Sequence, residues 1–284
     1  MPTIAITLGD PAGIGPEVVR KALASGRLPA GFQFEVIGDE SAGVPGKPDR
    51  RSAIASYEAL KEAATRLLNG RADAVVTAPV SKKQLQSVGF TFPGQTEFFA
   101  DAFGIRNFGM GLRGDTLTVA LATIHVPLSA VPGLLTVGLI VETGKLLAGF
   151  LARKNGSLPR IAVAGLNPHA GEQGAFGDEE TRIISPAIEA LNATGLAYFT
   201  GPAVPDAIFR DAARGQFDGV LAMYHDQGLI PLKLLDFDTA VNITLGLPKP
   251  RTSPDHGTAF GIAGKDQADP SSMIRAIRLA CELC

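Results

Sequence analysis

Several common carriers of function are scarce or absent in this chain of 284 residues. It has two cysteines, Cys281 and Cys284. Their C-x-x-C spacing closes the chain with no second ligand pair and no thioredoxin-like surround, so neither a redox nor a zinc role is read from them. Neither sign of charge dominates: 26 basic against 28 acidic residues give a net charge of -2. That supplies none of the positive field that binding a phosphate backbone needs, which excludes nucleic acid as a partner. No apolar run reaches bilayer length, because Ala130 to Val141 is broken by Pro132, Gly133 and Gly138 and ends at Glu142. The first residues enter Thr3-Ile4-Ala5-Ile6-Thr7-Leu8 without a basic or signal-like segment, from which a cytoplasmic location is expected. G-x-G-x-x-G, a Walker lysine pattern, internal repeats and low-complexity tracts are also missing.

What remains is a turn-rich globular composition, 45% hydrophobic and 19% charged, with 33 glycines and 20 prolines. Strand-like and helix-like patterns alternate. Thr3 to Leu8 reads as a strand, and Pro16 to Ala24 as a helix with proline at its first position. Gln33 to Gly38 and Asp73 to Ala78 read as strands on either side of a helix over Ser52 to Leu68. That helix presents Tyr57, Leu60, Ala64, Leu67 and Leu68 at helical spacing and ends at Asn69-Gly70. Glu40 to Arg51 reads as a loop. Later helices are expected over Leu134 to Arg153, Asp178 to Asn192 and Pro205 to Arg214, and the whole predicts a doubly wound α/β fold.

Only four histidines occur, and three follow short apolar runs: Val119–Ile124 leads to His125, Ile161–Leu166 to His169, and Val220–Tyr224 to His225. If the runs are parallel strands, their carboxyl ends share one edge, where ligands bind in such folds. Three neutral imidazoles there suit a divalent cation with positions left open for substrate. Asp226, beside His225, is placed to orient its ring, to move a proton, or to cap the next helix. Gly9-Asp10-Pro11-Ala12-Gly13-Ile14-Gly15-Pro16-Glu17 joins a strand to a helix and reads equally as a tight turn or a ligand loop. Lys233, Asn242 and Arg251 punctuate an apolar region; lysine and arginine in one cleft would suit a phosphate and a carboxylate, and singly each is a solvated charge. Asp269 and Pro270 read as the cap and first residue of a terminal helix.

Taken in order, Gly9–Glu17, Thr77-Ala78-Pro79-Val80-Ser81-Lys82, Gly94-Gln95-Thr96-Glu97-Phe98-Phe99, the His169 loop, Met223–Gly228 and Val241–Pro248 through Asp255–Ala259 resemble the PdxA family. Its members are 4-hydroxythreonine-4-phosphate dehydrogenases of pyridoxal phosphate (vitamin B6) biosynthesis. The resemblance spans the chain. It implies NAD- or NADP-dependent oxidation of 4-phosphooxy-L-threonine and decarboxylation to 3-amino-2-oxopropyl phosphate. It puts the metal ligands on His125, His169 and His225, holding zinc, magnesium, manganese or cobalt. Substrate contacts fall on Thr96, Lys233, Asn242 and Arg251, and on Gln95 where many relatives carry histidine. Asp226 and Lys233 are then the candidates for proton transfer and catalysis.

The resemblance also implies a homodimer whose active sites are completed by both chains. A wider likeness to isocitrate and isopropylmalate dehydrogenases, carried by Gly9–Glu17 and His256–Pro270, implies an α/β/α layered fold. It marks Gly257, Thr258, Ala263, Gly264 and Asp269 as dinucleotide contacts. One unit over 1–284 is expected, with discontinuous lobes at 1–92 plus 245–284 and 93–244 and a cleft between them. Gln95 opens an alternative within the family, a 4-phospho-threonate, 4-phospho-erythronate or dihydrodiol substrate. A metal-dependent hydrolase is the alternative of another class, since the same histidines could activate water.

Overall fold

Runs of small and β-branched apolar residues form the strands, and the amphipathic stretches between them form helices that cover the strands. The structure, a computed structural model, describes residues 1–155 and 157–284. In chain order come β1 (Thr3–Thr7), α1 (Gly15–Ala24), β2 (Gln33–Ile37), α2 (Arg50–Leu68), β3 (Ala74–Thr77), α3 (Lys82–Gln86) and α4 (Gln95–Ala102). Next are β4 (Gly109–Arg113), β5 (Thr118–Leu121), α5 (Val131–Leu134), α6 (Val137–Asn155), β6 (Arg160–Ala164), α7 (Ser185–Ala193), β7 (Tyr198–Ala203) and α8 (Pro205–Ala213). The last are β8 (Gly219–Ala222), α9 (His225–Asp236), β9 (Val241–Leu245), β10 (Arg251–Pro254) and α10 (Ser271–Glu282). The chain is thus of the α/β class.

Two compact units result, Met1–Arg106 with Val241–Cys284, and Asn107–Ala240; the lobe boundaries expected from the sequence are 92/93 and 244/245. In the first, the strand order is β2-β1-β3-β10-β9, parallel except for the β10–β9 pair. In the second it is β4-β5-β8-β6-β7, antiparallel only at β4–β5. Val119, Leu121, Ala162, Ala164, Val220 and Ala222 fill the core of the second unit against Leu229 and Leu232 of α9 and Phe209 of α8. Gly228 lets α9 lie directly on the sheet, because a Cβ there would stand 2.6 Å from the Val119 side chain.

Local chemistry explains the element ends. Pro16 stands in the first turn of α1, where its missing N–H costs nothing. At the start of α2 a capping box closes: Asp49 accepts from the Ser52 N–H at 2.8 Å and Ser52 Oγ accepts from the Asp49 N–H at 3.2 Å. Asp49→Ala is expected to lower stability by about 1 kcal/mol. Urea unfolding tests this, and an unmoved midpoint would contradict the cap's contribution.

Four expectations need correction. Leu68 is exposed at the end of α2, outside the stripe formed by Leu60, Ala64 and Leu67. The helix expected over Leu134 to Arg153 is two, α5 and α6, because Leu135 is extended between them. Among the described residues no single helix is long and apolar enough to cross a membrane, and the pair Leu128–Leu134 and Val137–Arg153 is bent by 97°. The helix expected from Asp178 begins with a π turn over Glu180–Ile184 before α7. Asp269 does not cap α10 from the N-cap position, which Pro270 holds; the Ser271 hydroxyl, and then the Ser271 N–H from which the carboxylate accepts at 2.8 Å, hold it below the usual carboxylate range.

Candidate active site

β5, β8 and β6 run parallel in register, so their carboxyl ends lie at one edge of the second unit. The histidine that follows each strand is accordingly delivered to that edge. His125 and His225 meet there, with ring centroids 5.4 Å apart. They line a pocket of about 410 Å³ with Ile124, Leu128, Val131 and Tyr224. Asp226 does not cap α9, whose N-cap is Tyr224. Its Oδ1 lies 2.7 Å from His225 Nδ1 instead. With Nδ1 bonded to a carboxylate, the ring keeps Nε2 as its other ligating atom. Two imidazoles at this spacing, one held by an acid, suit a divalent cation.

His169 does not join them. Among the described residues no three His, Cys, Asp or Glu side chains are grouped so as to hold a metal, so the set of three imidazoles expected from the sequence is not assembled within one chain. The reason is local. Residues 169–173 all have positive φ, so the chain makes a left-handed turn after Asn167-Pro168, and the exposed His169 ring lies 6.0 Å from that of Phe176. Left-handed backbone costs about 1–2 kcal/mol at each non-glycine residue, so the turn needs restraint. Buried Glu180 supplies it: Oε1 accepts from the N–H groups of Leu166 at 2.7 Å and Asn167 at 2.8 Å, and Oε2 accepts from Asn167 Nδ2 at 2.9 Å. Gly171 is obligatory beside this carboxylate, since a Cβ there would stand 2.7 Å from Glu180 Oε2.

The expected substrate residues divide between the units. Thr96, Arg251, Gln95 and Asn242 belong to the first. Arg251 is 3% exposed, yet among the described residues no carboxylate pairs with it. Its guanidinium donates to Thr77 Oγ1 at 2.6 Å, Thr244 Oγ1 at 3.3 Å and Thr96 Oγ1 at 3.4 Å, while Nε donates to nothing. Burial pushes its pKa down to about 10, against the opposing field of Glu97. Gln95 Oε1 and Asn242 Oδ1 are also buried without partners. A buried cation held by hydroxyls alone is an anion site by its electrostatics. Lys233 lies in the second unit on α9, its Nζ 5.9 Å from the Phe237 ring centroid.

The expected dinucleotide residues are all in the first unit, and the motif at Gly9–Glu17 packs on them. Ile14 N–H donates to the Thr258 carbonyl at 2.9 Å, and Ala268 N–H donates to Glu17 Oε1 at 2.7 Å. Pro45 packs on Gly264, where a Cβ would stand 2.7 Å from Pro45 Cβ. Ala263 is buried, whereas around Gly257 nothing lies within 4 Å of where a Cβ would stand. The loop is therefore braced on its inner side and open at Gly257, which fits close approach of a ligand to backbone.

The model of the family described as pyridoxal phosphate biosynthetic protein PdxA matches residues 20–280. The chain belongs to the PdxA family. It is 46% identical to a 4-hydroxythreonine-4-phosphate dehydrogenase of Erythrobacter litoralis, with 98% of this chain and 96% of that one covered. A D-threonate 4-phosphate dehydrogenase of Pectobacterium atrosepticum is 40% identical, with 99% and 98% covered. The crystal structure of a 4-hydroxythreonine-4-phosphate dehydrogenase from Klebsiella pneumoniae superposes with a TM-score of 0.85 at 37% identity, covering 100% and 99%. An isocitrate dehydrogenase of Methylococcus capsulatus shares the fold, with a TM-score of 0.53 at 14% identity over 99% and 85%. The expected fold and family are therefore both found. As a PdxA-family protein the chain is an oxidoreductase, which sets the hydrolase alternative aside.

One carboxylate that holds the His169 loop escapes sequence reading: that of buried Glu180. It ends the acidic run Asp178-Glu179-Glu180, and nothing in the sequence says which of the three carboxylates is buried. Only the π turn that starts at Glu180 decides it.

Proposed function

We propose that this chain catalyses the NAD(P)- and divalent-metal-dependent oxidation of 4-phosphooxy-L-threonine at its C3 hydroxyl, with loss of carbon dioxide to give 3-amino-2-oxopropyl phosphate. The observation that carries the reading is the His125–His225 pair, with His225 held by Asp226, in a chain of the PdxA family. His125 and His225 hold the cation together with His169 from a second copy of the chain. Zinc, magnesium, manganese and cobalt are all candidates, and imidazole donors favour the softer ions. A cation bound there supplies Lewis-acid stabilisation of the negative charge that develops on the substrate oxygen. Arg251 takes a substrate anion, with Thr96, Asn242 and Gln95 orienting the rest. Asp226 and Lys233 handle protons, and Lys233 adds a second positive charge. Gly257, Thr258, Ala263, Gly264 and Asp269 line the dinucleotide, NAD or NADP, which accepts the hydride.

The homodimer is supported by what a single chain leaves open. Only two of the three rings meet within it. α9 and the residue after it, moreover, expose Ile230, Leu234 and Phe237 at 66%, 83% and 71%, positions i, i+4 and i+7 on one face. Such an apolar stripe, on the helix that starts at His225, suits burial against a second copy. The proposed setting is cytoplasmic.

Gln95 favours a second reading within the family. A neutral amide cannot carry the positive charge that histidine can, so the anionic end of the substrate is held differently, and 4-phospho-threonate or 4-phospho-erythronate is the alternative substrate. NADH or NADPH formation on 4-phosphothreonine, 4-phosphothreonate and 4-phosphoerythronate, with and without chelator, separates them. The first substrate is expected to react and the chelator to abolish the signal. Turnover of only the second or third would overturn the substrate, and chelator-resistant turnover would overturn the metal.

A further inference from the structure

The three strand ends that carry the histidines are tied in series by hydrogen bonds, β5 to β8 directly and β8 to β6 through one side chain. From the end of β5, Thr123 donates to the Met223 carbonyl through both its N–H at 3.1 Å and its Oγ1 at 2.8 Å. Met223, at the end of β8, donates its own N–H to Gln227 Oε1 at 2.7 Å. Gln227 Nε2 then donates to the Gly165 carbonyl at the end of β6, at 2.6 Å. Immediately beyond, Leu166 and Asn167 are held by Glu180. Thr123 and Met223 each precede a histidine by two residues, and Gly165 precedes His169 by four.

Gln227 is 8% exposed in the first turn of α9, and both ends of its carboxamide are used. Few side chains can do this. The position requires an acceptor for one backbone N–H and a donor for another residue's carbonyl, at opposite ends of one short group. An ionised carboxylate would accept twice and repel the Gly165 oxygen, and an aliphatic chain would leave both backbone groups unpaired. Because the left-handed turn after Gly165 is strained, a loosened β6 end gives it room to relax, and His169 moves with it.

We infer that Gln227 is the positioning residue of the metal site. Its carboxamide holds both the His225 end of β8 and the His169 end of β6, and so the position in which the chain offers each ring to its own cation. The inference rests on reading His125, His169 and His225 as cation ligands.

The test is a Co²⁺ titration of the full-length protein followed by visible absorption, on wild type, Gln227→Leu and Thr123→Val, with Ile188→Val as a buried control whose side chain makes none of the bonds described. Gln227→Leu is expected to weaken Co²⁺ binding by about 10–100-fold and to change the absorption envelope. Thr123→Val, which removes only the side-chain link, should move both readouts in the same direction by a few-fold. Ile188→Val should lower the thermal midpoint while leaving affinity and spectrum alone. A purely structural Gln227 would behave like that control, with Co²⁺ affinity within twofold of wild type and an unchanged spectrum, and this would overturn the inference. Should Gln227→Leu fail to fold, Gln227→Glu, which keeps the size and the acceptor end and removes only the donor to the Gly165 carbonyl, decides the matter by the same criteria. Absence of Co²⁺ binding in the wild type is a distinct result, which removes the metal-ligand reading itself.

Discussion

His169→Ala is expected to abolish bound metal and turnover together, although in a single chain this ring stands apart from His125 and His225. Loss of a cation that stabilises developing oxyanion charge removes several kcal/mol from the transition state, on the order of a thousandfold in rate. The fold should survive, because His169 is exposed and its ring touches little beyond Phe176. His225→Ala is expected to give the same loss. Mixing the two variants is more informative than either. If each site takes His125 and His225 from one chain and His169 from the other, a mixed dimer contains one intact ligand set and one doubly defective set. Statistical subunit exchange then restores about a quarter of wild-type activity, since half of the dimers are mixed and each has one working site of two. Metal content measured on the mixture should rise in step. No recovery after verified exchange would mean that the ligands come from one chain, and full activity of His169→Ala with its metal retained would remove that residue from the set.

The α/β organisation was legible because β1, β3, β5, β6 and β8 are short apolar runs with turn residues on either side, and because buried parallel strands need no alternation to be recognised. The shared edge of β5, β6 and β8 followed from the same runs. Periodicity could not show the break between α5 and α6. Apolar residues continue through Leu135, and the extended backbone there is decided by tertiary packing, which overrides helix propensity. It was equally blind to the left-handed turn after Pro168. His169, Ala170, Glu172 and Gln173 have no local preference for positive φ strong enough to announce five such residues in succession.

The site was legible as a set of residue types and illegible as a geometry. Histidines at strand ends identify the edge, yet whether three rings converge within one chain depends on the path of a turn that Glu180 and Gln227 restrain from elsewhere in sequence. Gln227 did leave a trace: it is a polar residue within an apolar helical stretch, and it shares the buried side of α9 with Gly228, Leu229 and Leu232. That pattern marks a buried amide with partners to find. Of the partners, Met223 stands four residues back in the chain, whereas Gly165 is set by strand order rather than by spacing.

Replacing Arg251 by methionine is expected to raise KM for a phosphorylated substrate by a hundredfold or more while leaving the fold at least as stable. The first effect follows from losing a buried cation that meets the substrate's negative charge, a loss of about 3–4 kcal/mol when one partner of a desolvated pair is removed. The second follows from what surrounds the guanidinium in the free chain. Its partners are three threonine hydroxyls, its Nε has none, and burial lowers its pKa from the ordinary arginine range to about 10 in spite of Glu97. A base whose folded pKa lies below its unfolded value destabilises the fold wherever it is charged in both states. That cost is present in full below pH 10 and is relieved as pH climbs above about 10 toward the ordinary arginine range, where the unfolded chain binds more protons than the folded one. Methionine has no charge to desolvate, and the Thr96 and Thr244 hydroxyls, 3.3 Å apart, can satisfy each other. An anion on Arg251 relieves the same cost, so inorganic phosphate should raise the thermal midpoint of the wild type and leave that of Arg251→Met unmoved. A variant that unfolds several degrees below the wild type would refute the burial argument, and one that keeps both the phosphate response and an ordinary KM would place the anion site elsewhere.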